Sequence, residues 1–165
     1  MGLSFKKRLL FAKSEGEMKA VIQVVKDAVL TVEEKEISRI GQGLVVFFCV
    51  EKGDLEENLQ FFSKKIANLR IFSDENGKSN LSVQDVGGEI LLVSQFTLAG
   101  DCSHGNRPSF INAEAPERAN ELYEKLVEMI KAEYGLSVKK GVFGEEMIIK
   151  QTNDGPFTVL LEKGI

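Results

Sequence analysis

The chain has 165 residues, 43% of them hydrophobic, and a formal net charge of −4 from 21 Lys and Arg against 25 Asp and Glu. Such a length and apolar content suit one domain with a real core, and no apolar run approaches the roughly 20 residues a bilayer-spanning helix needs. The acidic balance argues against a protein that grips nucleic acid along a broad basic face, whereas contact with an RNA end alone needs only a local patch, for which Lys64, Lys65, Arg70, Arg107, Lys139 and Lys140 are candidates.

Residues 1–17 stand apart from the rest of the chain. Phe5 to Lys13 is basic and apolar by turns, too interrupted by charge for a signal-peptide core, and Lys6 occupies the place where myristoylation favours Ser or Thr. The segment is expected to be a leader or extension outside the fold, leaving residues 18–165 as a single domain. Ala20–Val25 is rich in β-branched residues and predicts a strand, with Ala28–Val32 as its continuation or partner. Glu33–Glu36 is a charged turn. Gly43–Val50 is continuously apolar and predicts a central, buried strand. A helix is then expected, capped by Asp54 with Glu57 in the capping-box position, its apolar face formed by Leu55, Leu59, Phe62, Ile66 and Leu69.

Asp74–Gly77 and Gly87–Gly88 read as turns, and Glu89–Gln95 as the next strand. Residues 99–115 form a long connection without periodicity, a length that in compact domains often carries function. Pro116 opens a second helix with Ala119, Leu122, Leu126, Met129 and Ile130 as its stripe, and Gly135 closes it. Met147–Ile149 and Phe157–Leu161 predict two final strands joined by an Asn-Asp-Gly-Pro turn. Two helices and about six or seven strands indicate mixed α/β layers, that is, an α+β layer structure.

Conventional hydrolase chemistry finds little material. His104 is the single histidine, so any triad must use it, and Asp101-Cys102-Ser103-His104 lies too close in sequence for partners that normally converge from distant segments. One histidine and two separated cysteines supply no zinc framework, and two cysteines make no disulfide scaffold; a reduced, cytoplasmic setting fits. Cys49, in an apolar run, reads as a small core residue. More telling are two polar runs where a β-rich domain should be apolar: Ser94-Gln95-Phe96-Thr97-Leu98 and Asn153-Asp154-Gly155-Pro156-Phe157-Thr158. The first reads either as a strand end whose hydroxyls bond nearby backbone or as a pocket edge presenting backbone N–H groups and the Gln95 amide. Thr97 as a nucleophile has no adjacent histidine or lysine to activate it. The second run reads as a hairpin turn or as a functional loop.

Together these runs resemble the two signature motifs of the D-aminoacyl-tRNA deacylases, also called D-tyrosyl-tRNA deacylases. The likeness extends from Met18 to about Leu161 through Ile40–Leu44, Val50-Glu51-Lys52, Arg70–Asp74, Gly87-Gly88 and Arg107-Pro108-Ser109-Phe110. Cys49 and Phe157 depart from it, standing where a glycine and a valine are usual. The resemblance implies a three-layer β/β/α fold and a homodimer with active sites at the subunit interface. It implies hydrolysis of the ester of D-aminoacyl-tRNA, and of glycyl-tRNA, with Gln95, Phe96 and Thr97 as the catalytic residues. Ser94, Gly155, Pro156 and Phe143 would bind substrate, with Met147 beside Phe143 near the terminal adenine. Gly155-Pro156 would be cis and reach into the partner's site, where its carbonyls hold the α-amino group and leave no room for an L side chain. No metal or organic cofactor, no membrane and no DNA is implied, and the 2′-hydroxyl of the terminal adenosine is expected to assist. The rival readings are a tRNA 3′-end binding module without turnover and an unrelated hydrolase built on Cys102 and His104.

Overall fold

The computed structural model describes residues 16–164. The leader expected at 1–17 therefore falls almost wholly outside the described residues. Strand β1 spans Met18–Val32, β2 Lys35–Ile40 and β3 Gly43–Cys49; helix α1 covers Leu59–Asn68 after a 3-10 turn at Glu56–Asn58. A small hairpin of β4 (Phe72–Ser73) and β5 (Ser79–Leu81) comes next, then β6 (Glu89–Ser94), a 3-10 turn at Phe96–Ala99, α2 (Pro116–Tyr134), β7 (Val138–Lys140) and β8 (Ile148–Lys163). The main sheet runs β2-β1-β3-β6-β7, with β8 on β1. β3–β6 and β6–β7 are parallel, whereas β1 pairs antiparallel with β2, β3 and β8.

The sheet curls into two β layers because β1 is long enough to serve both. Its first half pairs with β3 and its second half with β2, while β8 runs beside it along the other edge. Period-2 alternation then divides the apolar residues between two cores. Ala20, Ile22, Val24, Leu44, Val46, Phe48, Ile90 and Leu92 face the helices, packing on Leu59, Phe62, Ile66, Leu122, Leu126 and Ile130. Val25, Ala28, Leu30, Ile40, Val45, Leu91 and Val93 form the second core between the β layers. The curl is tied by the Ser38 hydroxyl donating to Lys140 O at 2.5 Å and by Lys139 Nζ donating to Arg39 O at 2.8 Å. The mixed α/β, β/β/α arrangement expected from the sequence is present, and no helix among the described residues is long and apolar enough to cross a membrane.

Ala28–Val32 continues β1, one of the two arrangements expected for it. Other local expectations are corrected. Asp54 caps no helix: the cap position is Leu55, which makes no side-chain cap bond, and Asp54 Oδ2 instead accepts from Glu51 N at 2.6 Å. Leu55 is consequently 38% exposed instead of lying on the buried face. The largest correction concerns Asn153–Pro156, which reverses nothing. β8 pairs antiparallel with β1 before and after it, with Asn153 opposite Val25 and Thr158 opposite Gln23. Residues 154–157 bulge outward opposite Val24 alone. Turn-forming residues here make a bulge because the 15-residue β1 offers pairing partners in line to both flanking runs. β7, with three residues, is too short to leave a periodic signal in the sequence. Gly135 does close α2, at φ 64°.

Candidate functional site

Parallel β3 and β6 end side by side, with Phe48 opposite Ser94, and the crevice beyond the carboxyl ends of parallel strands is where α/β sheets commonly bind ligands. The chain leaves β6 through Gln95 and winds into the 3-10 turn Phe96–Ala99. Its path is pinned to β3: Gln95 N donates to Phe48 O at 2.8 Å, and Cys49 Sγ lies 3.6 Å from Phe96 O as its donor. Burial pushes the Cys49 thiol up to about 12, so it stays protonated and able to donate. The first N–H groups of the turn, on Phe96 and Thr97, have no acceptor within it.

Here the molecule opens a cleft of about 760 Å³. Phe48, Val93 and Ile149 contribute apolar lining; Ser94, Gln95 and Phe96 form one edge; Phe110 and the Ala113–Pro116 segment another; Phe143, Gly144, Glu145 and Met147 a third. Phe96 is 57% exposed, and its ring meets Phe110 edge-on at 5.3 Å. Behind Phe143, Tyr123 is fully buried and donates to Leu92 O at 2.6 Å, joining α2 to β6.

The Ala113–Pro116 wall rests on a partly buried charged hub. Glu51 accepts from Lys19 Nζ at 2.9 Å, and Arg118 donates to Asp54 O at 2.6 Å and to Glu114 Oε2 at 2.7 Å. Burial opposes ionisation of Glu114, but Ala115 N and Arg118 outweigh it and hold its carboxyl below the usual range. Asp54 goes the other way: burial pushes it up to about 6. A carboxyl whose pKa is higher folded than unfolded stabilises the native state relative to its ionised form only while protonated. Its contribution is complete below the ordinary value of 3.8 and is lost as pH rises through about 6. Asp54→Asn keeps an acceptor for Glu51 N and cannot ionise. Urea midpoints measured from pH 4 to 7 should therefore show the native protein losing ground to the variant with rising pH, and parallel curves would show that Asp54 is not the group responsible.

The structure brings together Ser94, Gln95, Phe96, Phe143 and Met147 around the cleft. Thr97 is exposed beside them, and its Oγ1 accepts from the Gln95 side-chain amide. An amide is no base, so that bond orients Thr97 without activating it. Gly155 and Pro156 do not join this cleft within one chain; they sit exposed in the β8 bulge, joined by a cis peptide bond, with Gly155 at φ 127°. Cys102 and His104 lie on an exposed loop away from the cleft lining. There Ser103 Oγ donates to Asp101 Oδ1 at 2.6 Å and lies 2.8 Å from His104 Nδ1, an arrangement that does not include Cys102.

None of the six cations proposed for a basic patch lines the cleft. Lys140 pairs with Glu124 at 2.8 Å, Lys139 serves the sheet, and Arg70 bonds the Asn80 backbone at 3.1 Å. The cation that lines the cleft is Lys52. Sequence reasoning notes Cys49 as a core residue and Phe110 within a family run without placing either at the cleft, and it misses Glu114, because only the fold gathers them there.

A profile of the D-Tyr-tRNA(Tyr) deacylase family matches residues 21–162. Proteins described as D-aminoacyl-tRNA deacylase from Desulfitobacterium hafniense and Natranaerobius thermophilus are 52% and 50% identical over 145 residues, covering 88% of this chain and 97% of theirs. A solved structure titled c-Myc DNA Unwinding Element Binding Protein superposes with a TM-score of 0.81 at 42% identity, covering 88% of this chain and 98% of that one. Another, described as a probable eukaryotic D-amino acid tRNA deacylase, shares the fold with a TM-score of 0.79 at 18% identity, covering 89% of this chain and all (100%) of that one.

Proposed function

The chain belongs to the D-Tyr-tRNA(Tyr) deacylase family, and we propose that it hydrolyses the ester joining a D-amino acid to the 3′ end of tRNA, in the cytoplasm. The observation that carries this reading is the division of the two motifs: Ser94–Phe96 edges an open cleft, while Gly155–Pro156 stands exposed outside it in the same chain. A site assembled from two subunits reconciles them. The outer edge of β8 pairs with no strand among the described residues, and it carries Ile148 at 64% and Leu160 at 57% exposure. An unpaired edge with apolar side chains invites a second copy.

In the homodimer, the Gly155–Pro156 bulge of one subunit enters the other's cleft and binds the substrate's α-amino group through main-chain carbonyls. The carbonyls also occupy the space an L side chain would need, so selection is by chirality and not by side-chain chemistry. Glycine has nothing to exclude and is accepted as well. The ester carbonyl lies against the Phe96 and Thr97 N–H groups, which stabilise the charge that develops on its oxygen; a donor of this kind contributes roughly 3–4 kcal/mol where one has been removed from an enzyme. Gln95 orients Thr97. With only an amide beside the Thr97 hydroxyl, the attacking group is water, assisted by the 2′-hydroxyl of the terminal adenosine. The acyl C–O bond breaks and the 3′ oxygen leaves with the proton that water gives up. Phe143 and Met147 pack near the adenine.

Purified protein incubated with D-tyrosyl-, L-tyrosyl- and glycyl-tRNA tests this. Loss of the D-tyrosyl and glycyl esters with the L-ester spared is expected. Equal loss of both tyrosyl esters removes the chirality argument, and loss of none leaves a module that binds the tRNA end without turnover. His104→Ala is expected to keep at least half of the D-tyrosyl rate, measured in the same assay; near-complete loss would instead place the chemistry on the Cys102–His104 loop.

A further inference from the structure

Two features of the cleft mouth have no part in ester hydrolysis: an aromatic face and an unpaired cation. Phe110 is 37% exposed and Ile111, next to it, 73% exposed. Their loop is stiff. Asp101 and Ser109 exchange backbone hydrogen bonds of 2.8 and 2.9 Å, and Ala113 N donates to Phe110 O at 3.0 Å. The Phe110 ring lies directly on Gly100, where an added Cβ would come within 2.9 Å of Cε1. Lys52 stands on the same rim, its N–H donating to Asn112 O at 2.9 Å. Its ammonium makes no ion pair within 4 Å among the described residues; it acts on the nearby Glu114 carboxylate only through its charge, while Arg118 bonds that carboxylate at 2.7 Å. Glu145, the other unpaired charge of the lining, belongs to the separate Phe143–Met147 segment.

Resting on the deacylase reading, we propose that this rim is a subsite for the penultimate nucleotide of the tRNA, with its base against Phe110 and the phosphodiester that joins it to the terminal adenosine on Lys52. An RNA strand whose terminal nucleoside fills the cleft must leave through the mouth, and it alternates flat bases with anionic phosphates. A preset aromatic face beside a free ammonium matches that alternation. An apolar peptide would use the face and leave the cation idle.

The test compares D-tyrosyl-tRNA with 3′-O-D-tyrosyl-adenosine, which lacks both the penultimate base and the phosphodiester. Lys52→Gln should raise KM for the tRNA about fivefold with kcat retained, Lys52→Arg should restore it, and the slope of log KM against log salt should fall by about 0.7. Phe110→Leu keeps apolar cover over Gly100 and should raise KM for the tRNA about tenfold. The effects on the nucleoside ester should be smaller by at least that margin. Equal losses on both substrates, or no loss on the tRNA, overturn the subsite. If the native protein cleaves neither ester, the deacylase reading itself has failed. Titration of an RNA ending in CCA then decides the subsite alone: weaker binding by Lys52→Gln supports it and unchanged binding overturns it.

Discussion

Gly155→Ala is expected to leave the protein folded and to lower D-tyrosyl-tRNA deacylation about a hundredfold, the loss that a displacement of about 1 Å brings to a positioned reactant. Gly155 sits at φ 127°, a region that L side chains rarely adopt, and a Cβ there would lie 2.8 Å from Phe157 N and 3.3 Å from Phe157 Cβ. The bulge must re-form to accept it, which moves the Gly155 and Pro156 carbonyls. Little stability depends on that shape: residues 153–156 are exposed and pairing with β1 resumes at Thr158. The loss should therefore appear in kcat/KM and in the ratio of D- to L-ester hydrolysis, with thermal unfolding nearly unchanged. Retained rate and retained selectivity would show that the bulge takes no part in choosing the substrate.

Gly43→Ala should do the reverse and destabilise the fold by about 3 kcal/mol or more, read as a lowered urea midpoint. Gly43 is the first residue of β3 and pairs with Glu89, the first of β6. A Cβ at this position would fall 1.8 Å from Glu89 O and 2.8 Å from Glu89 N, both backbone atoms that cannot swing aside. The strands must part or slip where the parallel ladder begins. The consequence reaches the site, because the same ladder ends at Phe48 and Ser94 and sets the edge of the cleft. Activity should fall together with stability, which distinguishes this variant from Gly155→Ala. A midpoint within experimental scatter of the native value would mean that the β3–β6 ladder tolerates separation at its start.

Many of the elements that build the site are legible in the residues. The apolar run Gly43–Cys49, the Pro116 start and Gly135 stop of α2, and the polar break at Ser94–Thr97 each announce themselves locally, since strand burial, helix termination and strand exit depend on near neighbours. Asp54 misleads because capping and burial compete for the same carboxylate, and the turn at Glu51 wins it. Asn153–Pro156 misleads because turn propensity describes a chain on its own, whereas a 15-residue neighbouring strand can hold both flanks in line and force the same residues outward.

The residues by themselves carry the resemblance to the family, the two motifs, the buried run at the centre of the sheet and both helices; the division of the apolar residues into two cores belongs to the folded chain. The folded chain alone reveals that Ser94–Phe96 shares a cleft with Phe110, Phe143 and Lys52, and that Gly155–Pro156 lies outside it. Such juxtapositions come from β3 and β6 ending together and from β8 running unbroken along β1, and pairing between strands distant in sequence leaves no mark on any one segment.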